Sequence, residues 1–205
     1  MRLFPVELPE ALSSHRCRAL LALATVVIAA LLIGIGSASV AVRTMRPVVK
    51  NGAWRTSLTT GSTEAGLYER ARVAIFALLA LNRTEALYFI AEVDSEGAPL
   101  EPRCDYRIEG RDVDARWWSI TAYAGDFFLI DNPASRYSYN MANVQREPNG
   151  RFIIRLSRSE KQGNWLPTGR ASAIRMCLRL YEAAPVILED PGAVSLPSIL
   201  RDSCS

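Results

Sequence analysis

The pattern of apolar and polar residues first separates a long uncharged segment from the rest of the chain. Residues 19–42, ALLALATVVIAALLIGIGSASVAV, contain no charged side chain. A helix of this length covers about 36 Å, and the hydrocarbon core of a bilayer is about 30 Å thick. A cleaved secretory signal usually has a shorter apolar region of about 7–15 residues, although Ser37-Ala38-Ser39 resembles a cleavage site. We therefore predict an N-terminal tail over 1–18 and an uncleaved transmembrane signal anchor over 19–42.

Residues 43–62 carry proline, glycine and scattered hydroxyl side chains, which predict a linker with little regular structure. A helix is predicted from 64 to 81, with Ser62 or Thr63 as its N-cap. The second half of this helix, VAIFALLAL at 73–81, is apolar on every side and too short to cross a membrane. We therefore predict that it is buried against a domain that covers 63–205.

From residue 86 onward the apolar residues alternate with polar ones or form short runs between turn signals. The turn signals include Ser95-Glu96-Gly97, Asn132-Pro133 and Pro148-Asn149-Gly150. Seven strands are predicted, at 86–93, 103–109, 116–124, 127–131, 135–140, 151–157 and 173–182. Short connections between so many strands are typical of an antiparallel sandwich or barrel.

Several short segments resemble those of a bacterial family catalogued as domain of unknown function 1214. The most specific is Trp118-Ser119-Ile120-Thr121 followed by Tyr123, and the others occur in the family's order between residues 52 and 182. They are Gly52-Ala53-Trp54, Glu85-Ala86-Leu87-Tyr88, Asp94 with Gly97 and Leu100, Arg136-Tyr137-Ser138, Asn149-Gly150, Asn164-Trp165-Leu166-Pro167 and Arg179-Leu180-Tyr181. The resemblance implies a jelly-roll-like antiparallel β-sandwich with one N-terminal helix, preceded by a single transmembrane helix. It implies no catalytic residues.

Composition and charge exclude several classes of function. The net charge of +3 is too small for a nucleic-acid-binding surface. The only histidine, His15, precedes the anchor, which removes histidine-based hydrolysis and histidine metal sites from the domain. The chain contains no glycine-rich phosphate loop and no CxxC pair, so we predict neither a cofactor nor a metal site.

The four cysteines differ in position along the chain. Cys17 lies at the membrane boundary, and two of the remaining three are expected to pair in an oxidising compartment. We predict a Cys104–Cys204 disulfide because both residues lie at segment boundaries, where a bridge leaves a sheet undistorted. Cys177 then stays free inside its strand.

Alternation along the predicted strands separates an apolar face from a polar, aromatic and arginine-bearing face. The second face carries Arg175, Cys177, Arg179 and Tyr181 on one strand, and Trp117, Ser119, Thr121 and Tyr123 on another. Such a face suits ligands with sugar rings or anionic groups, and a solvated sheet face is the alternative. The candidate ligand-binding residues are Arg136, Trp165, Arg179 and Tyr181.

These observations lead to a hypothesis with two alternatives. The hypothesis is a membrane-anchored periplasmic module that binds an envelope glycan, a lipid head group or a protein partner. One alternative is a carboxylate-dependent enzyme acting on carbohydrate, and the other is a structural subunit of an envelope complex. Positive charges flank the anchor on both sides, so they do not decide its orientation. Large C-terminal domains are translocated largely regardless of flanking charge. We therefore predict a single-pass protein of the bacterial inner membrane with a periplasmic domain.

Overall fold

The computed structural model describes residues 10–44, 48–75 and 81–204, and the chain forms two compact units, Met1–Met45 and Arg46–Ser205. The first unit contains helix α1 (Glu10–Thr44). Its segment His15–Val42 is long and apolar enough to cross a membrane, and its apolar side chains are exposed. A helix of this length and composition is compatible with a single-pass anchor. The predicted span 19–42 lies within it.

The second unit is mostly β and contains two sheets. The six-stranded sheet has the order β1-β2-β3-β9-β5-β6, and the four-stranded sheet has the order β10-β4-β7-β8. The strands are β1 (Val49–Asn51), β2 (Trp54–Thr56), β3 (Ala86–Ala91), β4 (Cys104–Gly110), β5 (Ala115–Ala124), β6 (Ser138–Asn140), β7 (Phe152–Ser157), β8 (Asn164–Pro167), β9 (Ile174–Ala183) and β10 (Ser198–Cys204). The helices are α2 (Leu67–Ile75) and α3 (Pro185–Glu189).

The inner faces of the two sheets form the core. Trp118 of β5 stacks on Phe152 of β7, with 5.0 Å between the ring centroids. Trp118 is fully buried, and its indole N–H donates to Asp112 Oδ1 over 2.9 Å. Large apolar side chains at alternate positions therefore join the sheets, as the strand pattern predicts.

The predicted mostly β fold is confirmed, and two of its details are corrected. The strands pair antiparallel except for β7 and β8, which are parallel, so the four-stranded sheet is mixed. Residues 127–131, predicted as a strand, follow a turn at 125–126 and have only an isolated bridge between Tyr123 and Leu129. Phe127 has a φ of +67° there, which reverses the chain direction and ends the extended pairing.

The predicted linker is also corrected, because part of it belongs to the domain. Strands β1 and β2 form a hairpin within 43–62, and Gly52 supplies the positive φ of +57° that its turn requires. Trp54 is 1% exposed and its Nε1 donates to Pro197 O over 2.6 Å. Burial of this one large side chain draws the segment into the core, which a count of glycine, proline and hydroxyl residues does not capture.

Helix α2 is shorter than the predicted helix over 64–81. Within the predicted buried stretch 73–81, Val73 and Leu81 are half-buried and Ala74 is exposed. Residues 76–80 of the predicted buried stretch lie outside the described residues. Glu69 fixes the position of α2 because its carboxylate accepts hydrogen bonds from Ser57, Thr59 and Thr60.

Candidate ligand-binding face

The candidate site lies on the side of the six-stranded sheet that points away from the core, which we call the outer face. It is organised by β9, which pairs with β3 on one side and with β5 on the other. Arg179 lies opposite Tyr88 on β3 and Ser119 on β5. Tyr181, two residues further along β9, lies opposite Trp117. Cross-strand partners share a face, so the polar and aromatic face predicted from alternation is present.

The guanidinium of Arg179 is surrounded by hydroxyl groups and aromatic rings. Its Nη1 donates to Thr121 Oγ1 over 3.3 Å, and its Nη2 donates to the hydroxyl of Tyr123. The guanidinium carbon lies 5.5 Å from the ring centroid of Tyr123 and 6.0 Å from that of Tyr88. Both distances are within the range of a cation–π interaction, which stabilises the positive charge.

Arg179 has no carboxylate within ion-pair distance among the residues that the structure describes. Arg175, four residues earlier on the same face, does: its Nε lies 2.9 Å from Glu92 Oε1. Burial lowers the pKa of Arg179, but the nearby Cys177, Tyr123 and Tyr181 outweigh this effect and raise it above its ordinary value. The half-buried guanidinium therefore stays protonated, and no carboxylate in the described part of the chain neutralises its charge.

Two other groups on the outer face show that solvent reaches it incompletely. Cys177 is 2% exposed, and burial raises the pKa of its thiol to about 11. Burial also raises the pKa of Tyr88 above its ordinary value. A low local dielectric strengthens any interaction between the Arg179 guanidinium and an anion.

The four predicted site residues do not form one cluster. Arg179 and Tyr181 lie together on the outer face, whereas Arg136 is exposed on the loop before β6. The Arg136 guanidinium carbon lies 5.8 Å from the ring centroid of Tyr139, whose side chain is buried. Trp165 is 8% exposed in β8, and its Nε1 donates to Ser157 O over 3.1 Å. Trp165 thus has little surface available for stacking against a ligand.

Tyr88 was absent from the predicted site, although it is a ring neighbour of Arg179. The alternation along 86–91 places Tyr88 and Ile90 on the face opposite to Leu87 and Phe89, so the signal was available in the sequence. Alternation does not predict that β3 pairs directly with β9, because the paired Ala91 and Met176 are far apart in the sequence.

Three of the carboxylates near the strand ends have separate partners. Asp105 pairs with Lys161 at 2.7 Å, and Asp112 pairs with Arg146 at 2.7 Å. The buried Asp94 accepts hydrogen bonds from the backbone N–H groups of Glu96 and Ala98. Among the described residues, no group of three or more histidine, cysteine, aspartate or glutamate side chains is placed to hold a metal ion.

The structure contains the disulfide between Cys104 and Cys204, with their Cα atoms 3.9 Å apart. The two residues lie directly opposite each other on β4 and β10. Cys177 is free and buried, and Cys17 is free and exposed. The disulfide indicates an oxidising compartment.

The fold and the site together define a β-sandwich domain with a half-buried arginine on one sheet face, preceded in the chain by a long apolar helix. Residues 85–185 match the family model described as "Protein of unknown function (DUF1214)", so this part of the chain is similar to that family. The match covers β3 to β9, which include the whole of the Arg179 surroundings.

One solved structure shows a similar fold. The chain resembles the VPA0106 protein from Vibrio parahaemolyticus at 24% identity with a TM-score of 0.56, covering 68% of this chain and 36% of that one. An uncharacterized protein from Burkholderia cenocepacia is 18% identical with a TM-score of 0.38, over 58% and 29% of the two chains. The chain therefore spans about a third of the length of these structures. No curated protein matches the chain.

Proposed function

We propose that the protein is a membrane-tethered module that binds an anionic ligand on the outer face of its six-stranded sheet, with Arg179 as the principal ligand-binding residue. One observation carries the proposal: Arg179 is a half-buried guanidinium that contacts hydroxyls and rings and has no carboxylate partner in the described part of the chain. Arginine in such a position binds carboxylate or phosphate groups through several N–H donors at once.

The hydrogen bonds around Arg179 leave capacity for a ligand. A guanidinium has five N–H donors, and the described hydroxyls accept from two of its nitrogen atoms. Thr121 and Tyr123 accept these bonds with their oxygen atoms, so their own hydroxyl protons can be donated to a bound anion. The anion then receives both N–H and O–H hydrogen bonds.

We place the domain in the periplasm of a bacterium, anchored in the inner membrane. The long apolar helix and the disulfide support this placement, because stable disulfides form outside the reducing cytosol. Alkaline phosphatase fused after Ser205 is expected to be active, since this enzyme requires the periplasm. An inactive fusion, with a fluorescent cytoplasmic reporter bright at the same position, contradicts the placement.

Anion binding is tested by thermal unfolding of the full chain in detergent micelles. Inorganic phosphate and acetate are added at constant ionic strength, with chloride as the reference salt. We expect a saturable rise in Tm, because a ligand that binds only the folded state stabilises it. Arg179→Gln is expected to abolish the rise.

Arg175→Gln is the matched control, because Arg175 lies on the same strand and face but is paired with Glu92. This variant is expected to retain the rise in Tm. An equal response of the two variants, whether both lose or both retain it, contradicts the proposed role of Arg179.

A further inference from the structure

The outer face carries a second feature beside Arg179, an aromatic surface at one end of β9 and β5. Tyr181 follows Arg179 by two residues on β9, and its ionisable hydroxyl contributes to the raised pKa values of Arg179 and Tyr88. Trp117 is the cross-strand partner of Tyr181. It is 38% exposed, whereas the other three tryptophans are buried: Trp54, Trp118 and Trp165. An exposed indole beside a tyrosine offers a flat surface for stacking.

The aromatic surface and the guanidinium are separated along the sheet. Arg179 donates to Thr121, four residues after Trp117 on β5, which corresponds to about 13 Å of strand. Ser119, on the same face between them, is partly exposed and lies opposite Asn140 of β6. A small anion contacts only the Arg179 end, so the arrangement suits a longer ligand with a charged group, a polar middle and a ring.

We infer that the ligand is an acidic oligosaccharide, an inference that rests on the proposed anion site at Arg179. A sugar carboxylate binds Arg179 and the hydroxyls of Thr121 and Tyr123. A ring further along the saccharide stacks its apolar face on Trp117, and sugar hydroxyls hydrogen-bond to Ser119 and Asn140.

An anionic phospholipid is the rival ligand because it offers the same charge. It would use the other end of the face, where Leu129 is bridged to Tyr123 and is 50% exposed. Phe128, next in the same turn, is 73% exposed. The rival therefore predicts dependence on Phe128 and Leu129, whereas the acidic oligosaccharide predicts dependence on Trp117.

The experiment titrates the full chain in detergent micelles with a galacturonate tetrasaccharide, an uncharged galactose tetrasaccharide and monomeric galacturonate. Calorimetry gives the Kd, and tryptophan fluorescence reports on Trp117 as the exposed indole. We expect the acidic tetrasaccharide to bind at least about tenfold more tightly than the neutral one and than the monomer, and to shift the emission.

Substitutions separate the two parts of the site. Trp117→Ala is expected to weaken the acidic tetrasaccharide about tenfold while leaving the monomer unchanged, and Trp117→Phe is expected to retain most of the affinity. Arg179→Gln is expected to remove the preference for the acidic over the neutral sugar. Arg175→Gln is the control that keeps it.

Several results overturn the inference. Phosphate and acetate could bind at Arg179 while the acidic tetrasaccharide binds no more tightly than monomeric galacturonate. That result supports the anion site and rejects the oligosaccharide as its ligand. Tighter binding of a short-chain phosphatidylglycerol, lost in Phe128→Ser and Leu129→Ser but not in Trp117→Ala, assigns a lipid instead. Absence of binding by every anion, phosphate included, overturns both the inference and the proposed function.

Discussion

Arginine side chains on the outer faces of the two sheets have different partners. On the four-stranded sheet, Glu109 accepts from both Arg107 and Arg151, and Arg107 also pairs with Asp202. On the six-stranded sheet, hydroxyls and rings hold Arg179, and no carboxylate of residues 10–44, 48–75 or 81–204 pairs with it. On the first face carboxylates neutralise Arg107 and Arg151, although Arg155, opposite Arg107, donates only to Gln162 O among the described residues. On the second face Arg179 presents a positive charge in a partly desolvated position. The number of arginines on a face therefore says less about binding than the identity of their partners.

The disulfide belongs to the four-stranded sheet and is expected to have the largest effect on stability. It joins residues 100 apart in the sequence, and the chain-entropy model gives about 4–5 kcal/mol for a loop of that size. Replacing both Cys104 and Cys204 by serine should lower the free energy of unfolding by about this amount in chemical denaturation. The folded fraction should still bind anions at Arg179. Loss of anion binding there would show that the disulfide of one sheet affects the site on the other.

Trp165→Ala tests whether this predicted site residue stabilises the fold. Trp165 is buried in β8, and its backbone N–H donates to the hydroxyl of Tyr139 over 2.9 Å. Removal of a buried tryptophan side chain typically costs about 3–5 kcal/mol, which urea denaturation would measure. If the free energy of unfolding falls by less than about 1 kcal/mol and ligand binding weakens, Trp165 belongs to the binding site instead.

The desolvation of the six-stranded face predicts a pH dependence. The folded state holds the pKa of Cys177 at about 11, above its ordinary 9.0, so the folded state binds more protons between these values. The free energy of unfolding should therefore fall as the pH rises from 9 to 11, by up to about 2 kcal/mol from this group. Tyr88 also titrates with a raised pKa, so the comparison is made with Cys177→Ala, in which the fall should be smaller. Equal slopes would show that the thiol is not desolvated.

The ion pairs of the four-stranded face are expected to have the smallest effect. Glu109→Gln removes the shared partner of Arg107 and Arg151. Because both arginines are partly exposed, we expect a loss of about 1 kcal/mol or less, reduced further in 1 M salt. A larger loss that salt does not change would mean that this face is not solvated as described.

The sequence predicts the outer face better than the boundaries of the domain. Alternation along 117–123 and 174–181 places Trp117, Thr121, Arg179 and Tyr181 on one face, because a strand has a period of two whatever its neighbours are. Strand β8 was missed because it has only four residues, all buried, and follows the polar run SRSEKQGN. The placement of Trp165 depends on the parallel pairing of β8 with β7, which local composition does not encode.

Arg136 is another residue whose position is not predicted from local composition. It was grouped with Arg179 because both belong to family-like segments with large polar side chains. The structure places it on the loop before β6, where the side chain of Asn132 accepts from its backbone N–H over 3.1 Å and donates to its carbonyl over 3.1 Å. Proximity between segments far apart in sequence arises from sheet topology, which a single sequence leaves undetermined.

We propose above all that Arg179 binds an anion, unlike the carboxylate-paired Arg107 and Arg151 of the four-stranded face. NMR of the arginine Nε–H groups in the full chain, with Arg179→Gln and Arg107→Gln used for assignment, tests it most directly. On titration with acetate against chloride at constant ionic strength, we expect a saturable shift of the Arg179 signal and unchanged signals for Arg107 and Arg151. Equal small shifts of all three, or a saturable shift at Arg107 alone, would contradict the account.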